Sequence, residues 1–251
     1  MRQAERLGVI LEELSAGGSV AVSDLSPRLG VSAATVRRDL ELLEEQRLLS
    51  RTHGGAVAHG VVYELPLRYR TGRHHEEKRR IALKAAGRVS EGTAIGLTGG
   101  TTTTEVARAL VDRQRLTVVT NALNIASELA IRPNIKLVVT GGLARSESYE
   151  LVGPLAELSL AELHLDIVFI GVDGISRDAG LTTHHEVEAH TNRALIERAG
   201  RVIVVADGSK LGAVAFARIC ATDSVDELIT AGADPEAVEQ LREAGLTVTV
   251  V

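Results

Sequence analysis

Hydrophobic residues recur at two different spacings along this chain. Up to residue 57 they recur at intervals of three and four residues, which is the spacing of amphipathic helices. From Glu76 onward, short apolar runs alternate with helical stretches, a pattern typical of a mostly parallel sheet covered on both faces by helices. This change of pattern predicts two folded parts, residues 1–57 and residues 76–251, joined by a basic linker at residues 58–75.

Two helices are predicted at the start of the chain. The first ends at Gly17-Gly18, because paired glycines favour the end of a helix. The second extends from Ser23, its expected N-cap, to Gly30, and its start is expected to be irregular because Pro27 falls late in its first turn. The apolar stripe of the first helix is formed by Leu7, Ile10, Leu11 and Leu14.

A third helix and a hairpin are predicted next. Ser32 is the expected N-cap of this helix, with Thr35 three residues further on. Residues 48–57 are predicted to form a short hairpin, or wing, that turns at Gly54-Gly55. The residues of the third helix predicted to face the core are Val36, Leu40 and Leu43, and those predicted to face outward are Thr35, Arg37, Arg38 and Glu41.

This order of elements is typical of a winged helix-turn-helix, which lays one helix in a groove of double-stranded DNA. The Arg37-Arg38 pair is suited to contact phosphates and base edges, and the wing is suited to reach flanking phosphates. The alternative is a solvated helical face on which Arg37 pairs with Glu41. DNA binding is favoured because the cap, the preceding helix and the wing occur together. The predicted DNA-binding residues are Ser32, Ala33, Thr35, Arg37, Arg38, Arg51 and His53.

Residues 76–251 are predicted to form a doubly wound α/β domain. Seven apolar runs have the length and composition of buried strands, and helical stretches lie between several of them. Strands are expected at residues 94–97, 116–120, 135–140, 166–172, 201–206, 227–230 and 246–251. Helices are expected at residues 103–110, 122–130, 187–199 and 235–244.

Five turns of this domain are dense in Gly, Thr and Asn. Such turns gather at the carboxyl ends of the strands of an open α/β sheet, where ligands bind. Glycine permits close approach, Thr hydroxyls and helix N-terminal amides bind an anion, and Lys210 adds a positive charge. Neither a Walker A sequence nor G-x-G-x-x-G occurs, which disfavours a nucleoside triphosphate or a dinucleotide as the ligand. The five turns together with Lys210 predict a small ligand that carries a phosphate. The predicted contacts are Thr98, Gly99, Gly100, Thr101, Thr102, Thr103, Thr120, Asn121, Gly141, Gly142, Asp173, Gly174 and Lys210.

Charge is distributed unevenly along the chain, whose net charge is −5. Residues 1–60 carry seven basic and eight acidic residues, a net charge of −1. Residues 61–90 carry eight basic and three acidic residues, a net charge of +5. Residues 91–251 carry thirteen basic and twenty-two acidic residues, a net charge of −9. Affinity for DNA must therefore come from a local arginine cluster, assisted by the basic junction.

Composition narrows the class of protein. Cys220 is the only cysteine, which excludes a disulfide framework and a cysteine-rich zinc site and is expected of a reducing cytoplasm. The chain contains no Trp, two Phe and three Tyr, so recognition by stacking of bases on aromatic rings is not expected. Neither a signal peptide nor a membrane-spanning segment is recognisable. A soluble cytoplasmic protein is predicted.

One cluster of potential metal ligands needs separate consideration. His184-His185, Glu186 and Glu188 lie close together, with His190 nearby. They lack the H-E-x-x-H spacing, and several would point to different sides of a helix start. Hydrogen bonding to solvent or to a polar ligand is therefore expected of them, and neither a metal nor another cofactor is predicted.

The chain resembles the DeoR family of bacterial transcriptional regulators from end to end. The resemblance implies a winged helix-turn-helix, an effector domain similar in fold to ribose phosphate isomerase, and assembly into dimers or larger oligomers. It also implies repression of sugar-utilisation genes that a phosphorylated sugar relieves, with Glu188 facing the effector pocket. The stretches that carry the resemblance are VSAATVRRDLELLEEQRLLSRTHGGA, K-x-x-IA at 78–82, GGTTT at 99–103, VVTNAL at 118–123, VVTGG at 138–142 and VVADGSKLG at 204–212.

Two positions depart from the pattern of that family. The family often has Asp where this chain has Thr98, and often ends the late strand with Thr-Asp where Thr230 is followed here by Ala231. An acidic partner for the hydroxyls of a sugar is missing at these positions. Either the effector is unusual, or Asp173 and Glu188 supply the acidic groups.

A second function class is compatible with the sequence, namely a sugar-phosphate isomerase with an accessory N-terminal domain. Isomerisation needs a carboxylate base and an electrophile, which Glu188 or Asp173 together with Lys210 could supply. No tight acidic motif marks a catalytic base, and this alternative leaves the winged domain unexplained. A repressor controlled by a phosphorylated sugar is therefore the favoured hypothesis, with no catalytic residue, although the sequence does not distinguish repression from activation.

Overall fold

The computed structural model of the protein describes residues 3–58 and 65–251. The chain divides into two compact units, Met1–Arg73 and His74–Val251. The predicted fold class, a winged helix-turn-helix followed by an α/β domain with a mostly parallel sheet, is confirmed.

The first unit consists of helices packed on a three-stranded antiparallel sheet of strand order β1-β3-β2. Its core is formed by the predicted apolar stripe of the first helix together with Leu25, Val36, Leu40 and Leu43. The two strands of the predicted wing are β2 and β3. The elements are α1 (Gln3–Gly17), β1 (Ser19–Ala21), α2 (Val22–Leu29), α3 (Ala33–Glu45), β2 (Leu49–Arg51), β3 (Gly55–Ala58) and α4 (Leu67–Arg70).

The two helices of the helix-turn-helix begin differently. Helix α3 begins as predicted, because Ser32 Oγ accepts a hydrogen bond of 3.2 Å from the Thr35 amide. The prediction that Ser23 caps α2 is wrong. Ala21 occupies the N-cap position without a side-chain bond, and Ser23 lies inside the first turn, where its hydroxyl donates to Asp24. The Val22 amide is bound instead by the carbonyl of Gly54 in the wing, so tertiary structure replaces the local cap.

The segment predicted as a linker is partly folded. Residues 59–64 lie outside the described part of the chain. Beyond them, α4 packs on α1, and the buried Tyr69 joins the core of the first unit. The Tyr69 hydroxyl donates a hydrogen bond to the Gln46 side chain at the end of α3. Residues 65–73 therefore belong to the first unit, while the exact domain boundaries stay a prediction.

The second unit is built on a seven-stranded sheet, in which every neighbouring pair of strands is parallel. The strand order is β15-β14-β12-β9-β4-β5-β6, and each of the seven predicted apolar runs supplies one of these strands. The strands are β4 (Ala94–Leu97), β5 (Leu116–Thr120), β6 (Ile135–Val139), β9 (Ile167–Ile170), β12 (Val202–Asp207), β14 (Glu227–Ala231) and β15 (Val248–Val250).

Helices cover both faces of this sheet, and the central strands alternate between two cores. Phe169 and Ile203 point into a core shared with α5, α6 and α7, while Val168 and Val204 point into a core shared with α8, α9 and α10. This alternation is the period of two expected of a strand buried on both faces. The helices are α5 (His75–Ala86), α6 (Thr101–Ala109), α7 (Leu123–Leu129), α8 (Pro154–Leu160), α9 (Glu186–Ile196) and α10 (Pro235–Glu243).

Smaller elements lie between the strands of the main sheet, and the sequence pattern did not predict them. They are two to four residues long, too short for a hydrophobic period to be recognised. They are the hairpin β7 (Leu143–Ala144) and β8 (Leu151–Val152), and a second sheet of β10 (Gly174–Ser176), β11 (Gly180–Thr183) and β13 (Ala217–Cys220), with short 3-10 turns at Gly208–Lys210 and Thr222–Ser224. Within the described residues, no helix combines the length and apolar character needed to cross a membrane.

Candidate DNA interface and effector site

The predicted recognition helix α3 presents its arginine pair to solvent. Arg37 and Arg38 are exposed, while Val36 and Leu40 beside them are fully buried. Among the described residues, neither guanidinium group forms a hydrogen bond or an ion pair. The alternative pairing of Arg37 with Glu41 does not occur, so the two charges stay available to an anionic partner.

A buried ion pair fixes the orientation of this helix. Arg6 Nε lies 2.5 Å from Asp39 Oδ2, and Arg6 Nη2 lies 2.9 Å from Asp39 Oδ1. The bidentate geometry joins α1 to α3 with both groups excluded from water. Asp39 directly follows Arg38 along α3. The rotation of the helix that buries Asp39 therefore turns Arg37 and Arg38 toward solvent. Sequence reasoning missed this pair, since nothing local links positions 6 and 39.

The two predicted DNA contacts of the wing, Arg51 and His53, differ in whether they already have a partner within the first unit. His53 is exposed at the turn between β2 and β3. The guanidinium of Arg51 lies 3.3 Å from Glu41 Oε1 and 3.8 Å from Glu44 Oε2, so it is already engaged with α3. A contact of Arg51 with a phosphate stays a prediction and would require it to exchange these partners.

The predicted effector turns meet at one edge of the main sheet, the carboxyl ends of its strands. The turn at residues 98–103 follows β4, and Thr120-Asn121 follows β5 on one side of it. The turn at residues 171–174 follows β9 on the other side, and Lys210 follows β12. Gly141-Gly142 follows the edge strand β6.

The turn after β4 leads into the N-terminus of α6. Amides in the first turn of a helix lack partners within the helix and attract anions. The Thr103 and Thr104 hydroxyls donate to the Gly100 carbonyl at 3.0 and 2.6 Å, which holds the turn in place. Gly100 has φ of +129°, a conformation that L-residues rarely adopt, so a glycine is required there. Thr101 is half-buried and Thr102 is buried at the start of the same helix.

The hydroxyls of Thr98 and Thr120 are used to join neighbouring strand ends. Thr98 Oγ1 accepts a hydrogen bond of 3.0 Å from the Gly171 amide. Thr120 Oγ1 donates to the Leu97 carbonyl at 2.7 Å and accepts from the Ala122 amide at 3.1 Å. Both side chains are fully buried and position the turns that follow them.

The glycines of the remaining turns are required for close packing. A Cβ at Gly142 would lie 2.8 Å from the backbone of Val152, and one at Gly174 would lie 2.3 Å from the carbonyl of Ala213. The Gly141 amide donates to Ser159 Oγ at 3.1 Å. These contacts explain the glycines without a ligand, and direct ligand contact at these positions stays a prediction.

A cluster of acidic and basic side chains lies beside the α6 turn. Glu188 Oε1 accepts a hydrogen bond of 2.6 Å from the Thr183 hydroxyl, and Glu188 Oε2 forms a close ion pair with Arg145. The Thr183 hydroxyl also lies 3.1 Å from Asp173 Oδ2. Lys210 Nζ lies 3.6 Å from Asp173 Oδ1. The structure thus brings together the three predicted charged residues of the effector site.

A further carboxylate, that of Glu150, completes this cluster. Glu150 Oε1 accepts hydrogen bonds from the Gly99 amide at 2.8 Å and from Asn121 Nδ2 at 3.3 Å. Burial, together with the negative charge of Glu188, raises the pKa of Glu150 well above its usual value.

Comparison with known proteins identifies the family of this chain. A family model described as "DeoR-like helix-turn-helix domain" matches residues 6–60, and one described as "DeoR C terminal sensor domain" matches residues 73–231. The chain belongs to the DeoR family.

Relatives of this DeoR-family chain are similar to it over nearly their whole length. The "HTH-type transcriptional regulator GlpR" of Haloferax volcanii is 38% identical over 250 residues, which are 99% of this chain and 98% of that protein. The "Glycerol-3-phosphate regulon repressor" of Escherichia coli K12 is 34% identical over 241 residues, which are 96% of each chain. Among solved structures, ribose 5-phosphate isomerase A from Methanocaldococcus jannaschii aligns at 22% identity with a TM-score of 0.41 over 54% of each chain.

The DeoR-family chain is therefore a DNA-binding transcriptional regulator. Its relatives are named as transcriptional regulators, and its two matched domains are a helix-turn-helix and a sensor domain. The alternative of an isomerase with an accessory domain is not favoured.

The histidine cluster of this DeoR-family chain contributes to helix α9. His185 is the N-cap of α9, and its Nδ1 accepts a hydrogen bond of 3.3 Å from the Val187 amide. Across residues 3–58 and 65–251, no group of three or more His, Cys, Asp or Glu side chains is arranged to hold a metal ion. Cys220 is half-buried, and burial raises the pKa of its thiol to about 11, so it is a weak nucleophile at neutral pH.

Two charged residues of the effector site, Arg145 and Glu150, were missed by the sequence reasoning. They lie in the segment ARSESYE between the third and fourth predicted strands, which carries no hydrophobic period. The hairpin of β7 and β8 places both residues against turns that lie far away in sequence. The local signal was an arginine followed by five acidic or hydroxyl-bearing residues in a short loop.

Proposed function

We propose that this DeoR-family protein is a repressor of carbohydrate-utilisation genes whose affinity for operator DNA is lowered by a phosphorylated sugar or polyol. The observation that carries the proposal is the α6 N-terminus, which is suited to an anion and whose preceding Gly99 amide is bonded to Glu150. Glu188 and Asp173, joined through the Thr183 hydroxyl, lie at the same edge of the sheet. One end of this site fits a phosphate and the other fits hydroxyl groups. The name of the Escherichia coli relative refers to glycerol 3-phosphate, a phosphorylated polyol.

On the DNA side, we infer that α3 enters the major groove of a double-stranded operator. The free guanidinium groups of Arg37 and Arg38 are the principal contacts, and the wing reaches the flanking backbone. One helix-turn-helix reads too few base pairs, so the protein acts in the cytoplasm as a dimer or larger homo-oligomer on half-sites about one helical turn apart. The proposed DNA contacts are Ser32, Ala33, Thr35, Arg37, Arg38, Arg51 and His53.

On the effector side, the phosphate is proposed to lie at the start of α6, with Lys210 adding a positive charge. The hydroxyl groups are proposed to lie toward Asp173 and Glu188. Supporting contacts come from the turns that surround this position. They are Thr98, Gly99, Gly100, Thr101, Thr102, Thr103, Thr120, Asn121, Gly141, Gly142 and Gly174.

Release from DNA requires a difference in effector affinity between two arrangements of the protein. An effector shifts such an equilibrium only by binding the DNA-incompetent arrangement more tightly. The basic junction at residues 61–90 connects the two units, and we propose that it transmits the change.

The proposal is tested by electrophoretic mobility shift with promoter fragments and a panel of phosphorylated sugars and polyols. We expect at least one fragment to be retarded by the protein and released by at least one compound of the panel. A protein that retards no fragment, with or without any compound, contradicts the proposal.

Substitution of the arginine pair locates the DNA interface. Arg37→Ala and Arg38→Ala should each weaken DNA binding, and each lost phosphate contact should reduce the slope of log K against log salt by about 0.9. A lost base contact should instead cost about 1–3 kcal/mol and relax specificity at one position. The matched control is Arg132→Ala, which removes an exposed arginine of the second unit. Effector affinity, measured by calorimetry, should stay unchanged in all three variants.

A further inference from the structure

Large apolar side chains gather on one exposed surface of the second unit, which we call the β6–α8 patch. Single exposed leucines are common on protein surfaces, but a contiguous group of them marks an interaction surface. The patch is formed by the end of β6, by β7 and by the outer side of α8. The exposed fractions are 40% for Val139, 75% for Leu143, 66% for Leu155 and 70% for Leu158.

The strand and the helix of this patch meet at Gly141, in the turn that follows β6. A Cβ built on Gly141 would lie 3.8 Å from Leu155 Cβ, so the first turn of α8 packs on this glycine. Val139 and Leu143 lie two residues before and two residues after it. Leu155 and Leu158 are three residues apart and therefore lie on the same side of α8. The four exposed side chains thus belong to one continuous surface.

The patch also includes part of an open sheet edge. Strand β6 pairs with β5 on one side, and no strand of the described chain pairs with its other side. Lys136 is the only charged residue of β6 and lies near its start, where a lysine discourages pairing with another chain. Residues 137–144 contain no charged side chain, so this part of the edge is open to a partner.

The charge of the second unit favours a second copy of this chain as that partner. Residues 91–251 carry a net charge of −9, so two copies repel one another wherever their acidic surfaces approach. The patch avoids this repulsion, because residues 137–144 and 151–156 are uncharged and α8 carries only Glu157. The cores of protein interfaces are depleted of charge in the same way. A basic partner protein would be attracted to the acidic surfaces instead.

We propose that the β6–α8 patch is the surface through which two copies of this chain associate. The contact is isologous, so the same residues of both copies meet across a two-fold axis. Leu143, Leu155 and Leu158 of each copy are buried by the other, and the burial of this apolar surface drives association. The inference rests on the homo-oligomer proposed above and names the surface that forms it.

The patch is joined to the effector site by the β7–β8 hairpin. Strand β7 contributes Leu143 to the patch, and two residues further on Arg145 forms the ion pair with Glu188. A partner copy on the patch therefore touches the hairpin that carries a residue of the effector site. Movement of this hairpin would change the arrangement of the two copies, and with it the spacing of their recognition helices.

The test is sedimentation velocity of the full-length chain over a series of concentrations, without DNA and without effector. Leu155→Glu and Leu158→Glu each place a carboxylate in the patch. The matched controls are Leu83→Glu and Phe216→Glu, at side chains that are 61% and 77% exposed. Leu83 lies on α5, which covers the face of the sheet opposite to α8, and Phe216 lies just before β13.

We expect the wild type to sediment as a dimer or a larger oligomer. Leu158→Glu should raise the dissociation constant by about thirtyfold or more, the effect of removing one anchor from the centre of an interface. Leu155→Glu should act in the same direction, and both controls should dissociate as the wild type does. Far-UV circular dichroism should be the same for all four variants, because the replaced side chains are exposed.

Hydrogen–deuterium exchange of the wild type provides a readout that depends on no variant. Peptides that cover residues 137–144 and 154–160 should exchange faster after dilution below the dissociation constant, because the monomer leaves the patch uncovered. Peptides from α5 should exchange at the same rate at both concentrations. Both measurements omit operator and effector, so their outcome is separate from that of the mobility shift that tests the repressor.

Four results would overturn the inference. A wild type that is monomeric at every concentration tested does not associate through the patch, and a different partner would then have to cover it. Unchanged dissociation in both patch variants shows that the two leucines are not in the contact. Dissociation by a control as strong as that by Leu158→Glu shows that the contact lies elsewhere. Exchange of residues 137–144 and 154–160 that is independent of dilution, in a chain that does associate, assigns association to another surface.

Discussion

At the residue scale, the buried carboxylates of this protein fall into two groups. Asp39 in the first unit is paired bidentately with Arg6, which satisfies both oxygens. Glu227 in the second unit accepts from Arg88, Arg201 and Thr249. Glu150 differs from both, because the hydrogen bonds to its side chain come from the Gly99 amide and the Asn121 side chain and not from an arginine.

Substitution of Asp39 should destabilise the first unit. Asp39→Asn leaves the buried guanidinium of Arg6 without its counter-charge, which should cost about 3–5 kcal/mol. The matched control is Glu45→Gln at an exposed acidic residue of the same helix, which should change the free energy of unfolding by less than about 0.5 kcal/mol. Hydrogen–deuterium exchange of peptides from α3 in the full-length chain measures both. Unchanged protection in Asp39→Asn would show that the pair does not hold α3.

At the element scale, the two helices of the helix-turn-helix depend on different anchors. Ser32 caps α3 locally, while α2 begins through the bond between its first amide and the Gly54 carbonyl. The two serines therefore allow a direct comparison. Only the substitution of the true cap should expose amides at the start of a helix.

We expect Ser32→Ala to destabilise the N-terminus of α3 by about 1 kcal/mol, through loss of the bond to the Thr35 amide. Ser23→Ala serves as its control, because the Ser23 hydroxyl bonds only its neighbour Asp24 at the surface. Amide exchange at residues 33–36 should accelerate in the first variant and stay unchanged in the second. Equal acceleration at the start of α2 in Ser23→Ala would restore the original sequence prediction.

Glu227 ties several elements of the second unit together. Arg88 lies just beyond α5, Arg201 lies just before β12, and Thr249 lies on β15. The Glu227 carboxylate on β14 therefore links its two neighbouring strands to the end of a helix. Its hydrogen bonds with Arg88 lower the pKa of Glu227 below its usual value, an effect to which Thr249 and Arg201 add.

The depressed pKa of Glu227 makes the second unit sensitive to acid. A carboxylate with a lowered folded-state pKa contributes stability that is complete above its unfolded value of about 4.3 and is lost as pH falls through the folded value. Glu227→Gln should lower the melting temperature at pH 7 and should reduce the dependence on pH below about 4.3. Thermal unfolding at several pH values, by calorimetry, measures this. If Glu227→Gln loses stability with falling pH just as the wild type does, other carboxylates cause the acid sensitivity.

At the scale of the whole molecule, effector and operator must influence one another equally. If the effector lowers affinity for DNA by a given factor, the operator lowers affinity for the effector by the same factor, commonly about 5–150-fold. Calorimetric titration of the active compound, with and without saturating operator duplex, measures the second factor. Equal effector affinity in both titrations, for a compound that releases DNA, would contradict regulation through a change of arrangement.

Sequence alone predicted the elements that have a clear hydrophobic period. The seven strands of the main sheet and the third helix of the first unit occupy nearly their predicted residues. The Gly- and Thr-rich turns also lie at one edge of the sheet, since parallel strands end on the same side. These features depend on local burial and on chain direction, both of which a single sequence encodes.

Tertiary structure decided which side chains meet. Asp39 finds Arg6 across thirty-three residues, and Glu150 reaches Gly99 across fifty-one. The Val22 amide donates a hydrogen bond to the Gly54 carbonyl in the wing, so a cap by Ser23 is not needed. The short hairpin that carries Arg145 is stabilised by contacts with the turn after β5 and with α9, and not by its own pattern. Hydrophobic spacing records whether each element is buried, but the partners of a polar group depend on the packing of distant elements, and therefore only the folded chain determined the acidic cluster.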